Sequence, residues 1–504
     1  MVLKWLGGGG KPDHPLADDK SAKEVLSALP PNDPAKAIQE IRDLIESVLG
    51  TVGFKGERRG EVIMLLDEAA QVHVRKLARD YLSNPRLPKF QEGRIWGALF
   101  GLWKDLAAGY ATCIVQYTAD PGSVGKLKAQ LPLFCLRAVR AVAAQLKWHY
   151  MHYEQGDAAV WQALGKVYRY AEDRKVHRES VQVYAGVPVS SSVEREFMKA
   201  LMLAASSPDC LMPLDIELAE RIVAHFSAAF LVSNTHQPQA TYNWVDLSSG
   251  APPKRLTQTP PASPSLRFFA AGGAIAQLDN MIRVVQSGAV PADLNLGGTY
   301  EPAKVLTVLQ HLKMYWAATP PVRKNDRYAV KHRLTVVNSF EGILARLKDG
   351  GALATEKSAA ESWVTENISA GGIGAVLEKA QGDWLRIGKL VGLSVEGGSA
   401  ACSVGMVRRC SRLPQQQSSV GIRTFAKESF AVTLGGREEQ EALLLNDGRA
   451  LREEALICTR EGAFDKRNSP SMAFDGHTYL LIPVEVSVTG DDFELSRYKV
   501  MQQS

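Results

Sequence analysis

The chain has no uninterrupted apolar stretch near the roughly 18–20 residues that cross a bilayer, so it offers no membrane span. Cysteine is sparse. The six that occur, Cys113, Cys135, Cys210, Cys402, Cys410 and Cys458, include no Cys-x-x-Cys pair, which argues against a zinc or disulfide framework and suits a reducing compartment. We read them as buried thiols. Charge of one sign is also short: 59 Lys+Arg against 54 Asp+Glu leave a net +5, too little to coat DNA, RNA or an anionic membrane wholesale. Any anionic partner should be met locally. The apolar core of a secretion signal is missing, because Trp5-Leu6 is followed at once by Gly7–Gly10, and a cytoplasmic location is the expectation. Those glycines lead into Lys11-Pro12 without the Gly-Lys-Ser/Thr ending of a phosphate loop, so residues 1–20 read as a flexible tail.

What is present is an ordinary globular composition, 45% hydrophobic and 22% charged over 504 residues, enough for about three domains. From Ala22 to Trp316 the apolar residues recur at helical spacing, so residues 21–318 are expected to form a large α-helical domain. Asp215 is a candidate N-cap before the stripe Leu218, Ile222, Phe226 and Phe230, and Ser191 with Glu194 a candidate capping box before Phe197 and Leu201. Pro302 opens a helix whose Val305, Leu309, Leu312 and Trp316 share a face. Residues 235–264 hold six prolines among Ser, Thr and Gln and read as a surface excursion. Trp161, Leu164, Gly165 and Tyr168 match the opening of a tetratricopeptide helix pair, but no 34-residue echo follows, which favours an irregular bundle.

After Pro321 the periodicity falls to two. Tyr328, Val330, His332, Leu334 and Val336 alternate as on a half-buried strand, and Leu390–Val395, Ser403–Arg408 and Ser419–Phe425 are further short strands. Gly405 and Gly421 suit the bends of a small closed sheet. The layout expected is therefore a large all-α N-terminal region, a six-stranded antiparallel β-barrel over residues 319–430, and a small β-rich unit over residues 431–504, with strands near Ala455–Thr459 and Tyr479–Val488.

Two separated pieces of this half carry the chemistry, Arg323-Lys-Asn-Asp-Arg327 and Asn367-Ile-Ser-Ala-Gly-Gly372. Arg-x-x-x-Arg recurs at Arg75/Arg79, Arg174/Arg178 and Arg408/Arg412, whereas Asn-x-Ser-x-x-Gly stands between two strand-like runs and downstream of the one arginine pair that directly precedes a strand. In this order they resemble the PilZ domain, and Ile373-Gly374, Val404-Gly-Met-Val-Arg-Arg409 and Val420-Gly-Ile-Arg423 look like strands of that family. The resemblance covers about Val322–Glu428. It implies a barrel that binds cyclic di-GMP, a bacterial second messenger, with Arg323 and Arg327 on a segment that closes over the ligand and Asn367, Ser369, Gly371 and Gly372 at the barrel surface.

The residue types suit that ligand. Guanine O6 and N7 are adjacent acceptors that match an arginine fork, and the same planar cation pairs with phosphate. Asn367 and Ser369 can donate and accept at another edge of a guanine, and Gly371-Gly372 lets the backbone come close. The inventory lacks a nucleophile with its base, an acid–base pair and a metal cluster; His149 and His152 stand without further ligands. We therefore expect a receptor with no catalytic residue, no metal and no cofactor, which passes the bound state to a protein partner of the helical domain. The alternative is a protein-interaction scaffold whose barrel no longer binds. One departure bears on this choice: 39 residues separate Arg327 from Asn367, with Phe340–Lys348 helical and Gly350–Ala360 loop-like, an insertion that could cover the site, enlarge it or mark divergence.

Overall fold

The computed structural model describes residues 12–83, 87–319, 325–348, 360–378, 384–396, 402–413, 415, 417–436, 439–446, 451 and 453–503. These form two compact units. Described residues up to Pro208, with Pro213 to 319, make the first; Asp209–Met212, with those from 325 onward, make the second.

The first unit contains α1 (Asp19–Ser27), α2 (Pro34–Gly50), α3 (Gly56–Ser83), α4 (Lys89–Ala119), α5 (Leu131–Met151), α6 (Ala158–Asp173), α7 (Val193–Ala205), α8 (Pro213–Phe226), α9 (Ala274–Gln286) and α10 (Pro302–Trp316). Side-chain oxygens of Asp18, Asp33, Asp157 and Ser192 accept from backbone N–H groups at the starts of α1, α2, α6 and α7. The capping box expected at Ser191 and Glu194 is not formed: the cap falls one residue later, on Ser192, three residues before Arg195, and Glu194 pairs with Arg178 at 3.0 Å. Asp215 is not a cap either. It lies inside α8, which Pro213 opens, and pairs with Lys304 at 2.6 Å. The stripes on α8 and α10 are buried through Phe226 and Trp316, but Phe230, expected on the α8 stripe, lies beyond the end of that helix and is half-buried.

A small sheet of order β3-β6-β4-β5 joins the helices, built from β3 (Leu231–Ser233), β4 (Asn243–Asp246), β5 (Lys254–Arg255) and β6 (Leu266–Ala270), and a two-stranded ribbon pairs β1 (Val181–Gln182) with β2 (Ser190–Ser191). Part of the expected excursion is therefore strand. β6 is buried along its whole length, so it never shows the alternation by which a half-exposed strand is recognised. Gly165 has its own explanation in this sheet: a Cβ there would lie 2.2 Å from the Leu247 carbonyl oxygen, just beyond β4.

Two buried charged groups inside the bundle, Arg137 and Asp67, are matched to partners. Arg137 is 2% exposed and donates to the carbonyls of Val183 and Met64 at 3.0 and 3.1 Å and to Glu68 at 2.5 Å. Asp67 beside it accepts from the hydroxyls of Tyr110 and Tyr184 at 2.8 and 3.1 Å. Burial raises the Asp67 carboxyl above its ordinary value, against the pull of Arg137 and both hydroxyls. Five of the six cysteines are buried, and Cys210 is half-buried.

The second unit holds two closed barrels. The first comprises β8 (Arg333–Asn338), β9 (Glu361–Ser369), β10 (Gly372–Leu377), β11 (Leu390–Val395), β12 (Ser403–Arg412) and β13 (Ser418–Ala426), with β7 (Tyr328–Ala329) added outside the ring on β9. The single strand expected from Tyr328 to Val336 is thus two, β7 and β8. The second barrel comprises β14 (Ser429–Gly435), β15 (Gln440–Leu445), β16 (Glu454–Thr459), β17 (Ser471–Phe474), β18 (His477–Thr489) and β19 (Glu494–Gln503). The small C-terminal β unit is a complete six-stranded barrel in its own right. With strands numbered from 1 to 6 in chain order, both barrels close in the same cyclic order, 1-2-3-6-5-4, through antiparallel pairs.

Each barrel has its own interior. Trp363, Val391, Val407 and Ile422 are among the side chains filling the first, and Leu444, Ile457, Leu481 and Tyr498 among those filling the second. A third core lies between them, where Leu390, Met406 and Ala426 of the first barrel meet Leu443, Cys458, Phe493 and Leu495 of the second. The expected helix over Phe340–Lys348, α11, is present, and its Phe340, Ile343 and Leu344 fill this third core. That part of the insertion wedges the barrels together; residues 349–359 lie outside the described residues.

Candidate functional site

β9 and β10 form a hairpin closed by Ala370-Gly371, with Ser369 opposite Gly372 and Asn367 opposite Gly374. A bulge at Glu366 breaks the alternation of β9, so that Trp363 and Thr365 point into the barrel while Asn367 and Ser369 rise from its outer surface. On β10 the inward positions are Ile373, Ala375 and Leu377, which leaves Gly372 and Gly374 on the outside. The Ser369 hydroxyl donates to the Gly372 carbonyl at 3.1 Å and locks the turn.

The glycines set how closely neighbours can approach. A Cβ on Gly374 would stand 2.8 Å from both Asn367 amide atoms, so the Asn367 side chain lies flat over β10 because residue 374 has none. A Cβ on Gly372 would stand 2.3 Å from the Ile422 carbonyl oxygen and would force β10 away from β13.

The arginine segment reaches the same corner. β7 pairs with β9 in the register Tyr328 to Ile368 and Ala329 to Asn367, so Arg327, one residue earlier, comes level with Ser369. Asn325 meets the turn itself, with its Nδ2 3.0 Å from where a Gly371 Cβ would stand. Arg327 is exposed and has no hydrogen bond or ion pair among the described residues. Tyr328 beside it is 69% exposed. Of the six site residues expected from sequence, Arg327, Asn367, Ser369, Gly371 and Gly372 thus share one corner, and Arg323 lies outside the described residues.

One further residue of this corner was not singled out by sequence. Arg423 on β13 pairs in register with Gly372, its side chain is exposed, and its guanidinium stands 5.6 Å over the Phe425 ring. The available signal was the alternation Val420, Ile422 inward and Gly421, Arg423 outward. Next to it on β12, Arg409 packs its Cβ 3.2 Å from where a Gly421 Cβ would be and is ion-paired with Asp209.

The histidines considered as metal ligands are engaged otherwise: His149 Nδ1 is 2.7 Å from Glu154, and His152 stacks on Trp96 at 4.1 Å between ring centres.

Geometry and charge therefore make a glycine-lined barrel face bordered by guanidinium forks, suited to a flat anionic ligand with hydrogen-bonding edges. Among curated proteins, none matches the chain. Residues 20–238, fewer than half of the 504 and all of them in the helical half, match the family described as the N-terminal domain of the cyclic-di-GMP receptor FimW.

Proposed function

We propose that the chain is a cyclic di-GMP receptor that binds the nucleotide on the outer face of its first barrel, at a PilZ-like site. The observation that carries this reading is the meeting of two pieces of sequence 39 residues apart, the segment ending in Arg327 and the turn Asn367–Gly372, at one corner. The match of residues 20–238 to a domain of a cyclic-di-GMP receptor supports it from the other half of the chain. In this reading Arg327, together with Arg323, applies its fork to a guanine edge or a phosphate, Asn367 and Ser369 supply neutral donors and acceptors, and Gly371-Gly372 admits the ligand to the backbone. The site binds without turnover. The protein acts in the bacterial cytoplasm and passes the bound state to a protein partner of the helical region, with no nucleic acid involved.

Calorimetric titration with cyclic di-GMP, beside Arg327→Ala and Ser369→Ala proteins and a GMP control, tests the reading. Micromolar or tighter binding that fails in both variants and is absent with GMP is the expected result. Folded protein that gives neither heat nor thermal shift at high nucleotide would overturn it, and the barrel would then be a scaffold.

A further inference from the structure

The registers of four strands place four residues in one row. Arg327 comes level with Ser369 by the β7–β9 register, Ser369 pairs with Gly372 across the hairpin, and Gly372 pairs with Arg423 across β10 and β13. Neighbouring strands are about 4.8 Å apart, so the two arginines stand about 14 Å from each other along the sheet. Between them rise only the small hydroxyl of Ser369 and a glycine. Both arginines are exposed, and neither has a hydrogen bond or ion pair among the described residues. A guanidinium carries five donors, and the stacking of Arg423 on Phe425 satisfies none of them.

The second barrel supplies a comparison within the same chain. Its third strand also begins opposite the sixth, but the pair there is Glu454 with Lys499, where the first barrel has Gly372 with Arg423. Arg497 lies 3.7 Å from Glu454 and 2.7 Å from Glu485, so that corner neutralises its own charge. In the first barrel the register partner of the cation, Gly372, has no side chain, so no carboxylate faces Arg423 there.

We propose that Arg423 is a ligand-binding residue, the arginine that reads the second guanine of a cyclic dinucleotide whose first end is held by Arg327. This rests on the receptor reading above. A ligand with two identical guanines needs two forks at its two ends, and the row provides them on opposite sides of a side-chain-poor floor. Guanine presents O6 and N7 to each fork, whereas adenine offers a donor in place of O6, so the second fork also sets base choice.

The test is titration of the unaltered protein, Arg423→Gln and Arg423→Lys with cyclic di-GMP and with cyclic di-AMP, with a thermal melt of each. Arg423→Gln should weaken cyclic di-GMP binding about tenfold or more, and Arg423→Lys, which keeps the charge and the stem, should not restore it. The ratio of affinities for the guanine and adenine ligands should fall in both, a change that a merely structural role would not produce. Variants that melt normally and keep both affinity and ratio within twofold would overturn the proposal and leave the receptor reading standing. Unaltered protein that binds neither nucleotide would overturn both.

Discussion

The two barrels of the second unit close in the same strand order and share a core, yet their corresponding corners are built from opposite materials. Where strands 3 and 6 meet, the first barrel sets Gly372 against Arg423 and the second sets Glu454 against Lys499. Strands 2 and 3 differ too. In the first barrel they are joined by the two-residue turn Ala370-Gly371, held by Ser369; in the second, eight residues separate β15 from β16. A closed six-stranded barrel is thus only a frame, and in the proposed receptor reading the capacity to bind comes from which side chains are left off its outer face.

The largest test of this comparison breaks the frame common to both barrels. Phe340 is fully buried between them, and Phe340→Ala should cost about 3–5 kcal/mol in urea denaturation. Hydrogen exchange should show protection falling in β12 and in β19 together, since both contribute to that core. Loss confined to one barrel would mean that they are stabilised independently.

A more selective change makes the first corner resemble the second. Gly372→Glu places a carboxylate beside Arg423 and drives a Cβ against the Ile422 carbonyl, so cyclic di-GMP binding should weaken by about 100-fold or more, with a stability loss of about 1–3 kcal/mol. Calorimetry and urea melts separate the two effects. Retained binding would show that the ligand does not use this face. Ser369→Ala costs less stability. It removes one hydrogen bond to the Gly372 carbonyl, about 0.5–1.5 kcal/mol of stability, and any contact the hydroxyl makes to ligand.

Sequence made the architecture legible where patterns are local. The helix-to-strand change after Pro321, α11 and the apolar stripes of α8 and α10 rest on spacing within one element. Pairings were not legible. Arg423 was visible as an outward residue of a strand, but its place beside Gly372 depends on β13 pairing with β10, two residues far apart in the chain. The second barrel was underread for the same reason, since its closure through β14 and β17 joins Leu434 to Met472. β8 and β11 are buried on both faces, inside by their own barrel and outside by the shared core, so their alternation carries little information about facing. In the helical half, apolar spacing identifies helices but is common to many helical families, which is why residues alone named none for residues 20–238.

The smallest expected effect concerns how the second barrel's last hairpin is fastened to the first barrel. Asp491, in the turn between β18 and β19, accepts from Arg386 at 2.7 Å and pairs with Lys389 at 2.6 Å, and its backbone N–H donates to the Gly388 carbonyl at 2.9 Å. Burial pushes the Asp491 carboxyl up, but hydrogen bonds from Lys389 and Arg386 outweigh it and hold the group below its ordinary value. A carboxylate lowered in the folded state adds stability above its unfolded pKa, near 4, and loses it as pH falls below that. Asp492 next to it has the opposite sign, because burial raises it and Lys389 only partly compensates. Acidification from about pH 5 to 3 should therefore loosen this hairpin through Asp491, with Asp492 partly offsetting the loss. Asp491→Asn should lower stability at pH 7 and flatten its pH dependence in that window. An unchanged slope in urea melts between those pH values would show that the Arg386–Lys389–Asp491 cluster contributes no net stability, and that the hydrophobic core alone holds the two barrels together.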